Sequence, residues 1–190
     1  MNIKQKINNI RKWLSKNKLD AFIIAHEDEY LSEYIPPENE RLAWITGFTG
    51  SAGYAIISTD KAAIFVDGRY TVQAKNQVDF NLFEVLNIPK DSWIEWYKNN
   101  HTENSKIGYD PRMHRVIWKD LTNKKLDSQF NLIEVNNNPI DILWESRPQS
   151  NNDKAILLEQ KYTGKSSQEK RIELSDIIKS NNCDLAFITK

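Results

Sequence analysis

The stretch GFTGSAGYAIISTDKAAIFVDGRY, residues 47–70, decides the fold. Its first seven residues hold three of the chain's six glycines and no charge. A phosphate cradle needs GxxxxGK[ST] or GxGxxG, placed after a strand and opening a helix whose N–H groups face the anion. GFTGSAG has neither spacing, lacks the lysine and runs into an apolar segment. It therefore reads as a close-packed turn, in which small residues permit positive φ and close backbone approach. Beyond it, Tyr54 to Ser58 and Ala62 to Val66 are two apolar runs separated by Thr59, Asp60 and Lys61, which is hairpin spacing. Asp67-Gly68 ends the second run, and Arg69 to Gln77 continues as a helix with Asp67 or Gly68 near its N-cap.

On the N-terminal side, Ile3, Ile7, Ile10 and Leu14 fall on one helical stripe and Asp20 to Ala25 reads as a buried strand. After Pro36-Pro37, Glu38 to Thr46 suits a short helix. On the C-terminal side, apolar runs at Leu82 to Leu86, Ile107 to Tyr109 and Leu132 to Val135 alternate with helical candidates at Ser92 to Lys98 and His114 to Leu121. The pattern is mixed α/β.

Composition limits what these elements serve. With 190 residues, 39% hydrophobic, 27% charged and zero formal net charge, the chain has an ordinary globular makeup, long enough for one full core and part of another. It lacks the basic field of a nucleic-acid binder and the basic apolar helix of a peripheral membrane protein. No apolar run approaches the ~20 residues of a membrane span, and MNIKQK leads into an amphipathic helix rather than a signal-peptide core, so the expected location is the cytoplasm. The single Cys183 has no internal disulfide partner and reads as a small buried hydrophobe.

Near residue 148 the texture changes: SRPQSNND is polar and turn-rich, as a linker is. The segment beyond it repeats the beginning of the chain. Ile10, Trp13, Leu14, Asn17 and Asp20 lie 164 positions before Leu174, Ile177, Ile178, Asn181 and Asp184, and Ala21-Phe22-Ile23 is echoed one place further on by Ala186-Phe187-Ile188. The expectation is a duplicated domain whose second copy is cut off. A helix and one strand of ~40 residues rarely fold alone, so the chain reads as a fragment of a larger protein.

Local chemistry is sparse. His26, His101 and His114 are widely spaced and no CxxC or HExxH occurs. His26-Glu27-Asp28-Glu29 is the one local ligand cluster, and reads as a solvated strand end. Ser51 sits in GSAG, which is not the GxSxG nucleophile elbow, and reads as a turn serine.

ERLAWITGFTGSAGYAIISTDKAAIFVDGRYTVQAKNQVD, residues 40–79, resembles the N-terminal region of aminopeptidase P, the Xaa-Pro aminopeptidase of the creatinase/prolidase group. Ser32-Glu33-Tyr34, Gly108-Tyr109-Asp110-Pro111, Leu143-Trp144 through Arg147-Pro148, Tyr162-Thr163-Gly164 and Glu169-Lys170 match further landmarks in order. The resemblance implies a creatinase-type N-terminal domain over residues 1–147, a ribonuclease-H-like mixed sheet flanked by helices, then a linker and the start of a second similar domain over 148–190. It places catalysis in a third, pita-bread domain, where two aspartates, a histidine and two glutamates hold two divalent ions, usually manganese, and a bridging hydroxide attacks the carbonyl before proline. None of those ligand segments falls within residues 1–190, so no catalytic or metal residue is expected here.

The resemblance also implies that Arg69, in VDGRY, reaches the active-site cleft and contacts the bound peptide; the alternative is a surface arginine paired with Asp67. The partners implied are a peptide with proline at its second position and a second copy of the full-length chain, with no nucleic acid and no membrane. A stand-alone binding or oligomerisation module, and the N-terminal region of a dipeptidase or creatinase-like hydrolase, remain open.

Overall fold

The computed structural model describes residues 1–88, 90–151 and 153–188. Pro89, Asn152 of the expected linker, and Thr189 and Lys190 after the expected tail strand lie outside the described residues. The chain divides into two compact units, residues 1–150 and 151–190.

The first unit opens with helix α1, Ile3–Asn17. Asn2 and Gln5 form a reciprocal capping box at its start, and Lys18 closes it in the left-handed conformation. Ile7, Ile10 and Leu14 are buried, as the stripe predicts. Strand β1, Ala21–Ala25, comes next. A 3-10 turn at Pro37–Asn39 and helix α2, Arg41–Thr46, lie beyond it, so the single helix expected over Glu38 to Thr46 is broken. Glu40, at ψ 50, lies off the helical region and separates the two pieces. Strands β2, Gly53–Ser58, and β3, Ala62–Val66, form the expected hairpin. Its turn is closed by Ser58, whose Oγ donates to Asp60 Oδ1 at 2.9 Å and accepts from Lys61 N at 2.9 Å.

A 3-10 turn at Gly68–Tyr70, capped by Asp67, delays helix α3 to Thr71–Gln77. Strand β4, Glu84–Asn87, helix α4, Trp93–Asn100, and strand β5, Lys106–Tyr109, complete the next crossover. Helix α5 spans Val116–Leu126, starting two residues later than the sequence suggests because His114 and Arg115 are extended. After strand β6, Asn131–Glu134, a short helix α6, Pro139–Leu143, was not anticipated; Asn138 caps it and Pro139 starts it.

The six strands pair in the order β4-β3-β2-β1-β5-β6, with β2 antiparallel to both neighbours and the other pairs parallel. Alternation then explains the continuous apolar runs, since both faces are covered. Phe22, Ile24, Ala55, Ile57, Ile64 and Val66 face a core completed by α1, α2 and α6. Ile23, Ile56, Phe65 and Tyr109 face the other, completed by α4 and α5. Because β1, β3, β4 and β5 run the same way, their carboxyl ends and the start of β2 share one edge of the sheet.

The second unit holds helices α7, Gln160–Thr163, and α8, Ser167–Ser180. Its caps repeat those of α1 at the same offset of 164: Ser166 and Glu169 form a capping box, Asn182 takes φ 53 where Lys18 takes φ 55, and Cys183 N bonds Ile178 O as Leu19 N bonds Leu14 O. The recurrence stops there. Residues 185–188 form no strand, and Leu185, Phe187 and Ile188 are exposed, since a strand needs a ladder partner and none pairs with them among the described residues. Cys183 is likewise exposed rather than buried.

Candidate functional site at the carboxyl edge of the sheet

Asp67 ends β3, and its side chain folds forward to accept from Arg69 N at 3.0 Å and Arg69 Nε at 2.8 Å. Those bonds hold the Asp67 carboxyl below its ordinary range and raise the Arg69 guanidinium above its own. The ion pair anticipated as the alternative role of Arg69 is therefore formed, yet through Nε only. Its two terminal nitrogens have no hydrogen-bond partner among the described residues, and the side chain is 72% exposed.

The glycine loop supports this turn. Gly47 closes α2 at φ 82, a conformation that L side chains rarely adopt. A Cβ on Gly50 would stand 2.2 Å from the Phe48 ring and 2.9 Å from Tyr70, so glycine there lets Phe48 meet Tyr70 edge-on, 5.8 Å between centroids. Ser51 Oγ bonds Tyr70 Oη at 2.7 Å, and the Arg69 guanidinium lies 5.5 Å from the Tyr70 ring centre. GFTGSAG thus carries the chain into the hairpin and braces the residue beside Arg69.

The same construction ends β5. Asp110 accepts from Arg112 N at 3.0 Å, Nε at 3.1 Å and Nη2 at 2.7 Å, and from Asn138 Nδ2 at 3.1 Å. Burial alone would push this carboxyl up, but the bonds from Arg112 and Asn138 outweigh it and bring it below its ordinary value. Asp110 is buried where Asp67 is not, and it holds Arg112 through two guanidinium nitrogens where Asp67 holds Arg69 through one, so Arg112, 50% exposed, serves a structural clamp while Arg69 keeps both terminal nitrogens free. Both turns sit on the carboxyl edge, where ligands gather in α/β sheets.

The HEDE cluster is not the solvated strand end expected. His26 and Asp28 are buried, and Asp28 Oδ1 accepts from Tyr30 N and Ser32 N, each at 2.9 Å, closing the loop after β1. His26 Nε2 stands 3.5 Å from Glu40 Oε2. Among the described residues no three His, Cys, Asp or Glu side chains converge on a point where they could hold a metal. No helix among them is long and apolar enough to cross a membrane.

Sequence reasoning missed two features. One is His114, which lies at this edge beside Trp93 and Trp118 in a cavity assembled from four separate segments. The other is the tie between α2 and α6. Arg41 pairs with Asp141 across 100 positions, while Arg147 bonds Glu38 O at 2.7 Å and Asn39 Oδ1 at 3.1 Å, and Trp144 stacks on Trp44 at 5.8 Å. Residues 144–147 are thus fastened to α2 and the turn before it.

The family model for the Creatinase/Prolidase N-terminal domain matches residues 6–141. Xaa-Pro aminopeptidase 2 of Rattus norvegicus is 34% identical over 172 residues, which is 90% of this chain and 26% of that protein. The structure of X-prolyl aminopeptidase from Caenorhabditis elegans, described as a cytosolic enzyme with a di-nuclear active site, superposes with a TM-score of 0.83 at 25% identity, covering 97% of this chain and 32% of that one. A Xaa-Pro aminopeptidase structure from Streptococcus pyogenes shares the fold at 17% identity and a TM-score of 0.56, over 70% of this chain and 91% of its own. This chain spans between 26% and 32% of the length of the rat and nematode proteins.

Proposed function

The chain belongs to the creatinase/prolidase N-terminal domain family, and from that premise we propose that it is the non-catalytic N-terminal region of a Xaa-Pro aminopeptidase. In this reading residues 1–147 form the first domain and 148–190 a linker and the start of a second. The whole enzyme acts in the cytoplasm as a homodimer, releasing the N-terminal residue before proline from peptides. Two divalent ions, manganese in this reading, belong to residues beyond 190, and the first domain shapes the substrate cleft and contributes to subunit contacts.

The observation that carries the proposal is the alignment of nearly the whole chain with about a quarter of a Xaa-Pro aminopeptidase, 90% against 26%. The recurrence of the α1 caps in α8 supports the second domain. The 190-residue chain incubated with a Xaa-Pro peptide and Mn²⁺ is expected to release no N-terminal residue, whereas the same assay on the full-length protein is expected to show metal-dependent release. Release by the 190-residue chain, or none by the full-length protein, overturns the reading.

Arg69 is the substrate-binding residue of this proposal. Its free terminal nitrogens form a planar fork suited to a peptide carbonyl or carboxylate, with a geometry lysine does not reproduce. Since it stands apart from the metal chemistry, its loss removes binding shared by ground and transition states. Arg69→Ala in the full-length enzyme is expected to raise KM about tenfold, the loss of one charged hydrogen bond, with a smaller change in kcat. The melting temperature should barely move, because an exposed pair contributes little. Unchanged kinetics with a lowered melting temperature would make Arg69 a structural residue.

A further inference from the structure

Arg69 has one edge to offer a ligand. A guanidinium meets a planar partner either through Nε and the neighbouring terminal nitrogen or through its two terminal nitrogens. Asp67 Oδ1 accepts from Nε at 2.8 Å and from the Arg69 backbone N–H at 3.0 Å, so the first edge is closed and the turn fixes where the second one points. That second edge, the tip of the fork, is unbonded among the described residues.

The charge around the tip is negative. Its bonds to Arg69 hold the Asp67 carboxyl below its ordinary range, so it stays ionised at neutral pH and cancels the arginine. The Glu33 carboxylate acts on the guanidinium in the same direction as Asp67. Among the described residues no second basic side chain acts on either member of the pair. One cation therefore stands between two anions. A terminal carboxylate seated on the tip is attracted by one charge and repelled by two, and like charges brought together turn a partner away. A main-chain carbonyl is uncharged, and its two lone pairs accept from both terminal nitrogens. Exposure screens these charges, so the preference is several-fold rather than absolute.

We propose that Arg69 takes a main-chain carbonyl of the bound peptide and that Asp67 turns away a terminal carboxylate, which selects peptides whose chain continues past, or is blocked at, the Arg69 contact. This rests on the peptide-binding reading of Arg69 and deepens it.

The test is steady-state kinetics of the full-length enzyme on Ala-Pro-(Ala)n peptides, n from zero to four, each as the free acid and as the C-terminal amide. The Arg69→Ala penalty, about tenfold in KM for one charged hydrogen bond, is expected to start at one length, to appear with the amide as well as the acid, and to persist at every greater length. A penalty confined to the free acid of one length overturns the inference and leaves Arg69 a peptide-binding residue. No penalty with any peptide overturns that underlying reading itself. Asp67→Asn keeps an acceptor for the Arg69 N–H and Nε and removes the charge. At the shortest length that shows the penalty, the acid brings a carboxylate to the fork and the amide a carbonyl. There Asp67→Asn is expected to lower the KM of the acid relative to that of the amide about threefold, the scale of an exposed charge pair. An acid-to-amide ratio that Asp67→Asn leaves as in the wild type overturns the role given to Asp67.

Discussion

Asp141→Ala is expected to destabilise the first unit by about 3–5 kcal/mol, the usual consequence of leaving a buried charge without its partner. Arg41 is 3% exposed and donates through Nε to Asp141 Oδ1 at 2.7 Å and through Nη2 to Oδ2 at 3.0 Å. Its remaining terminal nitrogen bonds Asn39 Oδ1 at 3.1 Å, so the guanidinium is paired on every side but has no route to water. Asp141 also takes Arg147 Nη1 at 3.1 Å, so one carboxylate holds two arginines that are far apart in the sequence. Removing it strands the buried cation and unfastens residues 144–147 together.

The same physics limits what the pair contributes as a pair. Taking both ions out of water offsets much of their attraction, so replacing both by apolar groups of similar size is often close to neutral. Arg41→Met with Asp141→Leu is therefore expected to recover most of the loss, apart from the share due to Arg147. Denaturant melts followed by tryptophan fluorescence read the first unit specifically, because all six tryptophans lie within residues 1–150. A loss below about 1 kcal/mol in Asp141→Ala, the level of an exposed pair, or a double variant as weak as the single one, would show that the network is solvated in solution.

That network also marks where sequence reading stops. The hairpin was legible because its signals are local: two apolar runs, a three-residue polar turn and Asp-Gly at the end all act within a few residues. The helix starts were less legible. Asp67 satisfies a 3-10 turn before α3 begins, and Arg115 stays extended before α5, so caps shifted both boundaries. The HEDE run looked solvated because four polar residues in a row carry no trace of the backbone N–H groups Asp28 folds back to satisfy. Arg41 with Asp141, and His114 with Trp93 and Ile23, are brought together only by sheet order. Neither member of such a set carries a mark that distinguishes it from any other arginine or histidine. Arg69 was singled out by resemblance; the equivalent Asp-x-Arg turn at residues 110–112 shows that the local pattern alone yields a clamp as readily as a presented side chain.

His114 sets the expected behaviour in acid. Burial between Tyr109 and Trp118 disfavours its charged form and pushes it down to about 4 from 6.5, against a smaller opposing pull from the Asp110 carboxylate. Above pH 6.5 the imidazole is neutral whether the chain is folded or unfolded, and stability is complete. As pH falls from 6.5 towards 4, the unfolded chain takes up the proton and the folded one does not, so the equilibrium shifts towards unfolding. At 1.36 kcal/mol per unit, that difference amounts to about 3 kcal/mol by pH 4. His101, also lowered by burial, acts in the same direction. Asp110, whose carboxyl is held below its ordinary 3.8, loses its contribution mainly below this window. His114→Phe keeps the stack on Trp118 and removes the proton site. The stability of His114→Phe relative to the wild type is therefore expected to rise by about 3 kcal/mol between pH 7 and pH 4. Parallel curves for the two proteins across that window would mean that the folded state admits the proton, and that His114 is not shut away from water as its buried Nε2 implies.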